Sequence, residues 1–184
     1  MKSTIAAAVL MFIFGISLNP NQGSEIVWDD LKEIEWSDFV GRPDKNSPFK
    51  AKTMCEIRSD IKGEGGEMSL KIQGLFLKKL SWVKEKSDAL LYHERGHFNL
   101  CELWARKLRF KIRDRTFDKG TFQDSLNSFQ KEVNEGNRKM QEMYDNESAH
   151  GIIEGQQKMW TDKIRRSLIE LSAYTQPVVF CKIQ

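Results

Sequence analysis

The sequence predicts an α+β domain in which an N-terminal antiparallel sheet is followed by about three helices. Apolar and charged residues alternate in the first half of the chain, as they do in strands, whereas from residue 87 onward apolar residues recur at steps of three and four, as in helices. The 184 residues are 40% hydrophobic, which is enough for one globular domain with a core. Because 29 basic side chains nearly balance 26 acidic ones, the composition does not indicate nucleic-acid binding.

The first 22 residues are predicted to be a signal peptide or an N-terminal anchor. Lys2 precedes an apolar run over residues 5–18 that is too short to span a bilayer comfortably. The run is followed by no Ala-x-Ala cleavage pattern, so both alternatives stay open. No other segment is apolar enough for a membrane span. We therefore expect a bacterial protein exported to the periplasm or the medium, with a single domain over residues 23–184.

Alternation predicts the strands in the N-terminal half. Residues 32–39 are expected to form a short strand, and a loop rich in Gly and Pro follows at 41–48. Residues 51–61 alternate most clearly, then glycines at 63–66 indicate a turn before a further strand at 68–77. This pattern is typical of an antiparallel sheet with one solvent-exposed face.

Three helices are predicted in the remainder of the chain. Ser87 or Asp88 is a suitable N-cap for the first, whose apolar stripe continues to Ile112. A second helix begins near Phe122 and is interrupted at residues 145–151. A third covers residues 160–171 and ends before Pro177.

The three cysteines, Cys55, Cys101 and Cys181, allow at most one internal disulfide, and the sequence does not identify its partners. None has the Cys-x-x-Cys spacing of a metal or redox motif. Cys55 and Cys101 fall on predicted buried faces, where a free cysteine packs as a small apolar side chain. We therefore interpret the cysteines as structural.

The segment LLYHERGHFNL contains His93, Glu94 and His97, the only H-E-x-x-H pattern in the chain. Histidines four apart on a helix share one face and can bind one Zn²⁺, while the glutamate beside them can accept a proton from metal-activated water. The alternative is a core helix with hydrogen-bonded histidines. The inward-facing position favours the metal, because burying these groups without a partner is costly. Gly96 either leaves room for a substrate or a neighbouring chain, or reflects tight packing.

A catalytic zinc site has three protein ligands and one open position. His150 is the preferred third ligand because it is the only other histidine. Glu132, Glu135 and Glu147 are the alternatives. The residues after His97 exclude the metzincin continuation, which requires a glycine and a further histidine there.

The chain resembles a bacterial family of uncharacterised exported proteins described as predicted secreted zinc-dependent proteases. The matching segments span most of residues 23–184 in order: Trp36-Ser37-Asp38-Phe39, Gly41-x-Pro43, Ala51-x-Thr53, Ser81-Trp82-Val83, Leu90-Leu91-x-His93-Glu94-x-Gly96-His97-Phe98, Ala105-Arg106, Tyr144-Asp145-x-x-Ser148-x-His150-Gly151 and Gln157-x-x-Trp160. Ser148 stands where the family usually has Thr, which keeps the hydroxyl. The resemblance implies a zincin-like metallopeptidase.

The expected activity is hydrolysis of a peptide or protein substrate. His93, His97 and His150 would hold Zn²⁺, Glu94 would act as the general base, and Tyr144 would donate a hydrogen bond to the oxyanion. A strand edge could align the peptide. The alternatives are a non-catalytic, zinc-stabilised envelope binding or scaffold protein, a metal-free helical domain, and zinc-dependent hydrolysis of a non-peptide bond. The sequence does not indicate the oligomeric state.

Overall fold

The computed structural model describes residues 23–64 and 66–184, so the predicted signal peptide or anchor at residues 1–22 lies outside the described residues. Within these residues, three α-helices and a mixed sheet form an α+β fold, which confirms the α+β class that the sequence predicts. No helix in these two described ranges is both long and apolar enough to cross a membrane.

The strands and helices are, in chain order, β1 (Glu25–Val27), β2 (Ala51–Lys52), β3 (Cys55–Glu64), β4 (Glu67–Leu77), β5 (Trp82–Val83), α1 (Asp88–Ile112), β6 (Thr116–Phe117), α2 (Phe122–Ser148), α3 (Glu154–Glu170) and β7 (Val178–Ile183). Short 3₁₀ helices lie at Trp36–Asp38 and Ser172–Tyr174. The side chain of Ser87 caps α1 by accepting a hydrogen bond from the backbone N–H of Leu90, as the sequence predicts.

Strand β4 is the centre of the main sheet. It pairs with β3 along one edge in an antiparallel hairpin, in which Cys55 is opposite Phe76. Along its other edge it pairs with β7 at residues 67–71 and with β1 at residues 75–77, and β6 adds to β7 in parallel. Strands β2 and β5 form a separate pair. The sheet is therefore mixed and completed by the C-terminal strand, not purely N-terminal and antiparallel as the sequence suggested.

The strand expected at residues 32–39 is absent from the structure, which has a 3₁₀ helix at Trp36–Asp38 instead. The carboxylate of Asp38 accepts a hydrogen bond from the backbone N–H of Glu35 at 2.9 Å, and this local bond competes with strand pairing. The apolar residues of the segment are nevertheless buried: Ile34 and Phe39 pack against Phe76. Alternation thus correctly identified core residues but not their backbone conformation.

Helix α1 lies between the sheet and the other two helices. On its sheet side, Leu108 and Ile112 pack against Leu70 and Ile72 of β4. Its other side contributes Leu100 and Leu103 to a second cluster with residues of α2 and α3. Because both sides are covered, several charged and polar residues of α1 are also buried, and each needs a partner: His93, Glu94, Glu102, Arg106 and Arg109.

Candidate metal centre

The predicted histidine pair lies in the N-terminal half of α1 and faces a cavity of about 860 Å³. The Nε2 atoms of His93 and His97 are 3.1 Å apart, as expected for residues one helical turn apart whose rings converge. His93 is almost fully buried, and His97 is partly buried. Asp145 of α2 and His150 of the turn after α2 line the same cavity.

Two glutamines orient the histidine rings. His93 Nδ1 lies 3.0 Å from Gln157 Oε1 of α3, and His97 Nδ1 lies against Gln141 Oε1 of α2. Both contacts are with amide oxygens, which only accept hydrogen bonds, so each Nδ1 carries the donated hydrogen. Both Nε2 atoms therefore point toward Asp145 at the cavity, while an outer partner holds each Nδ1, as in metal-binding histidines.

Asp145 is the residue that sequence reasoning did not identify as a ligand. Its Oδ1 lies 3.1 Å from His93 Nε2, 3.0 Å from His97 Nε2 and 3.3 Å from His150 Nδ1. The ligand atoms of His93, Asp145 and His150 all lie within 4.8 Å of one another, so this group could hold a metal ion. Asp145 is part of the Tyr144-Asp145 motif, but the expected helix interruption there hid its place on the histidine-facing side of α2.

His150 reaches the site because the chain turns sharply after α2. Ala149, His150 and Gly151 have consecutive positive φ values of 48°, 55° and 82°. The hydroxyl of Ser148 accepts a hydrogen bond from the N–H of Gly151 at 3.1 Å and donates to the carbonyl of Tyr144 at 2.6 Å. Two adjacent non-glycine residues in this region cost of order 1–3 kcal/mol each, which proteins tolerate mainly at functional sites.

A side chain at position 151 would also be excluded by packing. A Cβ on Gly151 would lie 2.9 Å from Cβ of His93, so the turn approaches α1 more closely than any other residue type would allow. The imidazole of His150 itself is 44% exposed, the most exposed of the three histidines, with its ring 4.8 Å from that of Phe49. It therefore lies at the mouth of the cavity.

Tyr144 does not have the position expected of an oxyanion donor. Its side chain is fully buried, stacks on the ring of His93 at 4.5 Å and donates its hydroxyl hydrogen to the carbonyl of His93 at 3.0 Å. The same hydroxyl accepts a hydrogen bond from Gln157 Nε2 at 2.7 Å. A Cβ on Gly96 would collide with this hydroxyl, so Gly96 is explained by packing and not by space for a substrate. We reassign Tyr144 as a residue that positions His93.

Glu94 is buried beside the histidines and lines the same cavity. Within the part of the chain that the structure describes, its Oε2 has no hydrogen-bond partner, although the atom is buried. A buried carboxylate oxygen without a partner costs free energy, and such an atom requires an explanation. The predicted role of Glu94, to accept a proton from metal-activated water, stays a prediction.

The carboxylates give the site a strong preference for positive charge. Burial alone would lower the pKa of His97, but its hydrogen bond to Asp145 and the nearby charge of Glu94 raise that pKa to about 9. Burial alone would raise the pKa of Asp145, yet its bonds to His93 and His97 hold it well below its usual range. A cation is therefore stabilised where these side chains converge.

The alternative glutamate ligands are placed elsewhere. Glu132 forms an ion pair with Lys111 at 2.8 Å, and Glu147 accepts a hydrogen bond from Trp160 Nε1 at 2.8 Å. Neither of them, nor the exposed Glu135, lines the cavity.

Comparison of the chain with protein-family models, with curated proteins and with solved structures found no match in any of the three.

Proposed function

We propose that the protein is an exported, zincin-like metallopeptidase that hydrolyses peptide bonds with Glu94 as the general base. One observation carries the proposal: Glu94, whose buried Oε2 has no hydrogen-bond partner among the described residues, lines a cavity of about 860 Å³ whose wall also holds His93, His97, Asp145 and His150. A purely structural metal site has no use for such a carboxylate, whereas a hydrolase needs a proton acceptor there.

The donor set suits zinc. In a tetrahedral site with bonds of about 2.0–2.1 Å, the ligand atoms are separated by about 3.3 Å. The ligand atoms of His93, His97 and Asp145 are separated by 3.0–3.1 Å, and His150 lies 3.3 Å from Asp145. We propose that the side chains of His93, His97 and Asp145 hold the ion and that His150, at the cavity mouth, supports the site through its contact with Asp145, so that the fourth position stays open. Asp145 thus joins the three histidines predicted from the sequence.

When bound, zinc would supply a Lewis acid that polarises a carbonyl oxygen and lowers the pKa of water. Glu94 would accept the proton of the attacking water and pass it to the leaving amine. Gln157 and Gln141 would hold His93 and His97 in their orientations, and Tyr144 would fix the backbone carbonyl of His93. The apolar packing around α1 would exclude bulk water from Glu94.

The cavity and the groove beside it suit an extended polypeptide. Strand β2, which lines the cavity, pairs only with β5 among the described strands, so a peptide could pair with its other edge. A groove of about 680 Å³ adjoins the cavity and runs along α2. Its α2 wall carries amides at helical steps of four and three: Gln123, Asn127, Gln130, Asn134 and Asn137. Amides donate and accept hydrogen bonds, as peptide groups do.

The decisive experiment compares Glu94→Gln with Glu142→Gln on a broad peptide library. Glu142 lines the same cavity but is exposed and paired with Arg138, so it is a matched control for the loss of one carboxylate. We expect Glu94→Gln to lower kcat/KM by about 10²–10⁴ while zinc stoichiometry is unchanged, because the base acts only on the proton. Cleavage by Glu94→Gln at the rate of the control would contradict the proposal.

The non-catalytic alternative is a zinc-stabilised envelope protein in which all four side chains hold the ion and no position stays open. It predicts one zinc per chain and no cleavage by the wild type. Wild-type cleavage that requires zinc and Glu94 would eliminate it.

The exported location is part of the proposal and needs its own test. In the bacterium that produces the protein, we expect it in the periplasm or the medium, with a new N-terminus near residue 23 if the leader is cleaved. N-terminal sequencing of fractionated protein measures this. Recovery only from the cytoplasm would contradict export.

A further inference from the structure

Two of the three cysteines face each other between the sheet and α1. Cys55 begins β3, and Cys101 lies in α1. Cys101 Sγ is 3.3 Å from the carbonyl oxygen of Glu56, and Cys55 Sγ is 3.9 Å from that of His97. Each thiol thus contacts the backbone of the other's element, and the two thiols are close enough to hydrogen-bond with each other.

The remaining cysteine is placed elsewhere. Cys181 lies in β7, opposite Met68 of β4. It is buried in the core cluster of the sheet, whereas Cys55 and Cys101 belong to the cluster around Phe76 and Phe98. All three cysteines are free thiols in the structure. If an internal disulfide forms, the packing therefore allows only the pair Cys55–Cys101. The sequence did not identify these partners.

Cys55 is the more accessible residue of the pair. Cys55 is partly exposed and lines the cavity of the candidate metal centre, whereas Cys101 has no exposed surface. A small disulfide compound could therefore enter by the cavity and meet Cys55 first. Cys101, already in contact with Cys55, would be the second thiol to react.

We propose that Cys55 and Cys101 form an intramolecular disulfide by exchange with a small-molecule disulfide. In the first step the sulfur of Cys55 attacks one sulfur of the reagent, a mixed disulfide forms, and one reagent thiol leaves. In the second step the sulfur of Cys101 attacks that of Cys55 and displaces the other reagent thiol. The two cysteines lose two electrons and two protons, and the reagent disulfide gains them.

The bond would fasten β3 to α1 one helical turn beyond His97. It would close a loop from residue 55 to residue 101 that contains β3, β4, β5 and the predicted zinc-binding turn of α1. Gln141 Nε2, whose amide orients His97, lies 4.0 Å from Cys55 Sγ. The disulfide would therefore brace the wall of the metal centre, and we expect it to raise the Tm by roughly 5–15 °C.

The experiment counts free thiols in the purified wild-type protein. The protein is incubated with oxidised glutathione or with dithiothreitol, denatured, alkylated with iodoacetamide and weighed by mass spectrometry. We expect three alkylated cysteines after dithiothreitol and one after oxidised glutathione. Trypsin should then release residues 53–58 disulfide-linked to residues 96–106, and the remaining alkyl group should be on Cys181.

Cys181→Ser is the matched control and should still give the same linked peptides, with no alkylated cysteine left after oxidation. Cys101→Ser should retain two alkylatable or glutathione-bound thiols and show no rise in Tm on oxidation. Three alkylated cysteines in the oxidised wild type would overturn the proposal. A stable glutathione adduct on Cys55 without a link to Cys101, or a link that includes Cys181, would overturn it too. None of these measurements depends on peptidase activity.

Discussion

The two halves of α1 both bury charged side chains between the sheet and the other helices, but they differ in how the charges are paired. In the C-terminal half, Glu102 Oε1 accepts hydrogen bonds from Arg106 and Arg109, and Oε2 accepts one from Arg109. In the N-terminal half, Glu94 Oε2 has no partner among the described residues. Glu94 and Glu102 are 4% and 2% exposed, so completeness of pairing, and not burial, distinguishes the two regions.

The completed cluster has a structural role. Arg109 also donates to the carbonyl oxygens of Ile72, Tyr174 and Thr175, so it connects α1 to β4 and to the segment before β7. Each of these hydrogen bonds of Glu102 and Arg109 therefore joins two groups of the protein. The residues of the N-terminal cluster, His93, Glu94, His97 and Asp145, instead line a cavity. Buried charge that is fully paired stabilises the fold, whereas buried charge left incompletely paired beside a cavity indicates chemistry.

The largest expected effect compares the same substitution in both halves. Glu102→Gln leaves two buried arginines without an anionic partner and should lower the free energy of unfolding by about 3–5 kcal/mol. Glu94→Gln breaks no hydrogen bond of the carboxylate Oε2 and should change it by less than about 1 kcal/mol. Urea unfolding of the two variants measures both values. Equal destabilisation would mean that the two clusters do not differ in the way proposed.

Zinc should stabilise the protein through the N-terminal half alone. At a free concentration about 100 times its Kd, zinc should add about 2.7 kcal/mol to the free energy of unfolding, which corresponds to a rise in Tm of roughly 5–10 °C. We expect His97→Ala to abolish this shift and a chelator to reverse it in the wild type, both measurable by differential scanning fluorimetry. A shift of the same size in His97→Ala would place the ion elsewhere.

Gln157 tests whether the ring of His93 is oriented from outside the site. Gln157→Leu removes the acceptor of His93 Nδ1 and the donor to Tyr144, and should weaken zinc binding about 10–100-fold. Gln156→Leu is the control, because Gln156 is the adjacent amide on α3 and is only partly buried, whereas Gln157 is buried against His93. Competitive titration against a chelating dye measures the two affinities. Equal zinc affinities of Gln157→Leu and Gln156→Leu would contradict an orienting role of Gln157.

The smallest expected effect concerns a pair outside both clusters. The hydrogen bond from Arg58 holds the pKa of Glu25 below its ordinary value, against the opposing effect of burial. This contribution to stability is present above the ordinary glutamate pKa and is lost as the pH falls through the lowered one. Since both side chains are partly exposed, Glu25→Gln should cost about 0.5–1 kcal/mol at pH 7, and less at pH 3. A cost that does not fall at acid pH would contradict this assignment.

Local patterns predicted the parts of the molecule that local chemistry determines. The spacing of His93 and His97 fixes their common face, and Ser87 caps the helix that carries them. Asp145 was missed because its role depends on how α2 packs against α1. The direction of the Tyr144 side chain depends on the same contact. Strand β7 was missed because its pairing with β4 joins residues more than a hundred positions apart.

The central claim is that the N-terminal half of α1 forms a metal centre together with Asp145. Zinc content of the purified protein, measured by elemental analysis after zinc loading and dialysis, tests it most directly in the wild type, Asp145→Ala, His150→Ala and the control Glu142→Ala. We expect about one zinc per chain in the wild type and the control, a near-complete loss in Asp145→Ala and a smaller loss in His150→Ala. A wild type with well below one zinc per chain, or Asp145→Ala with full occupancy, would contradict the claim.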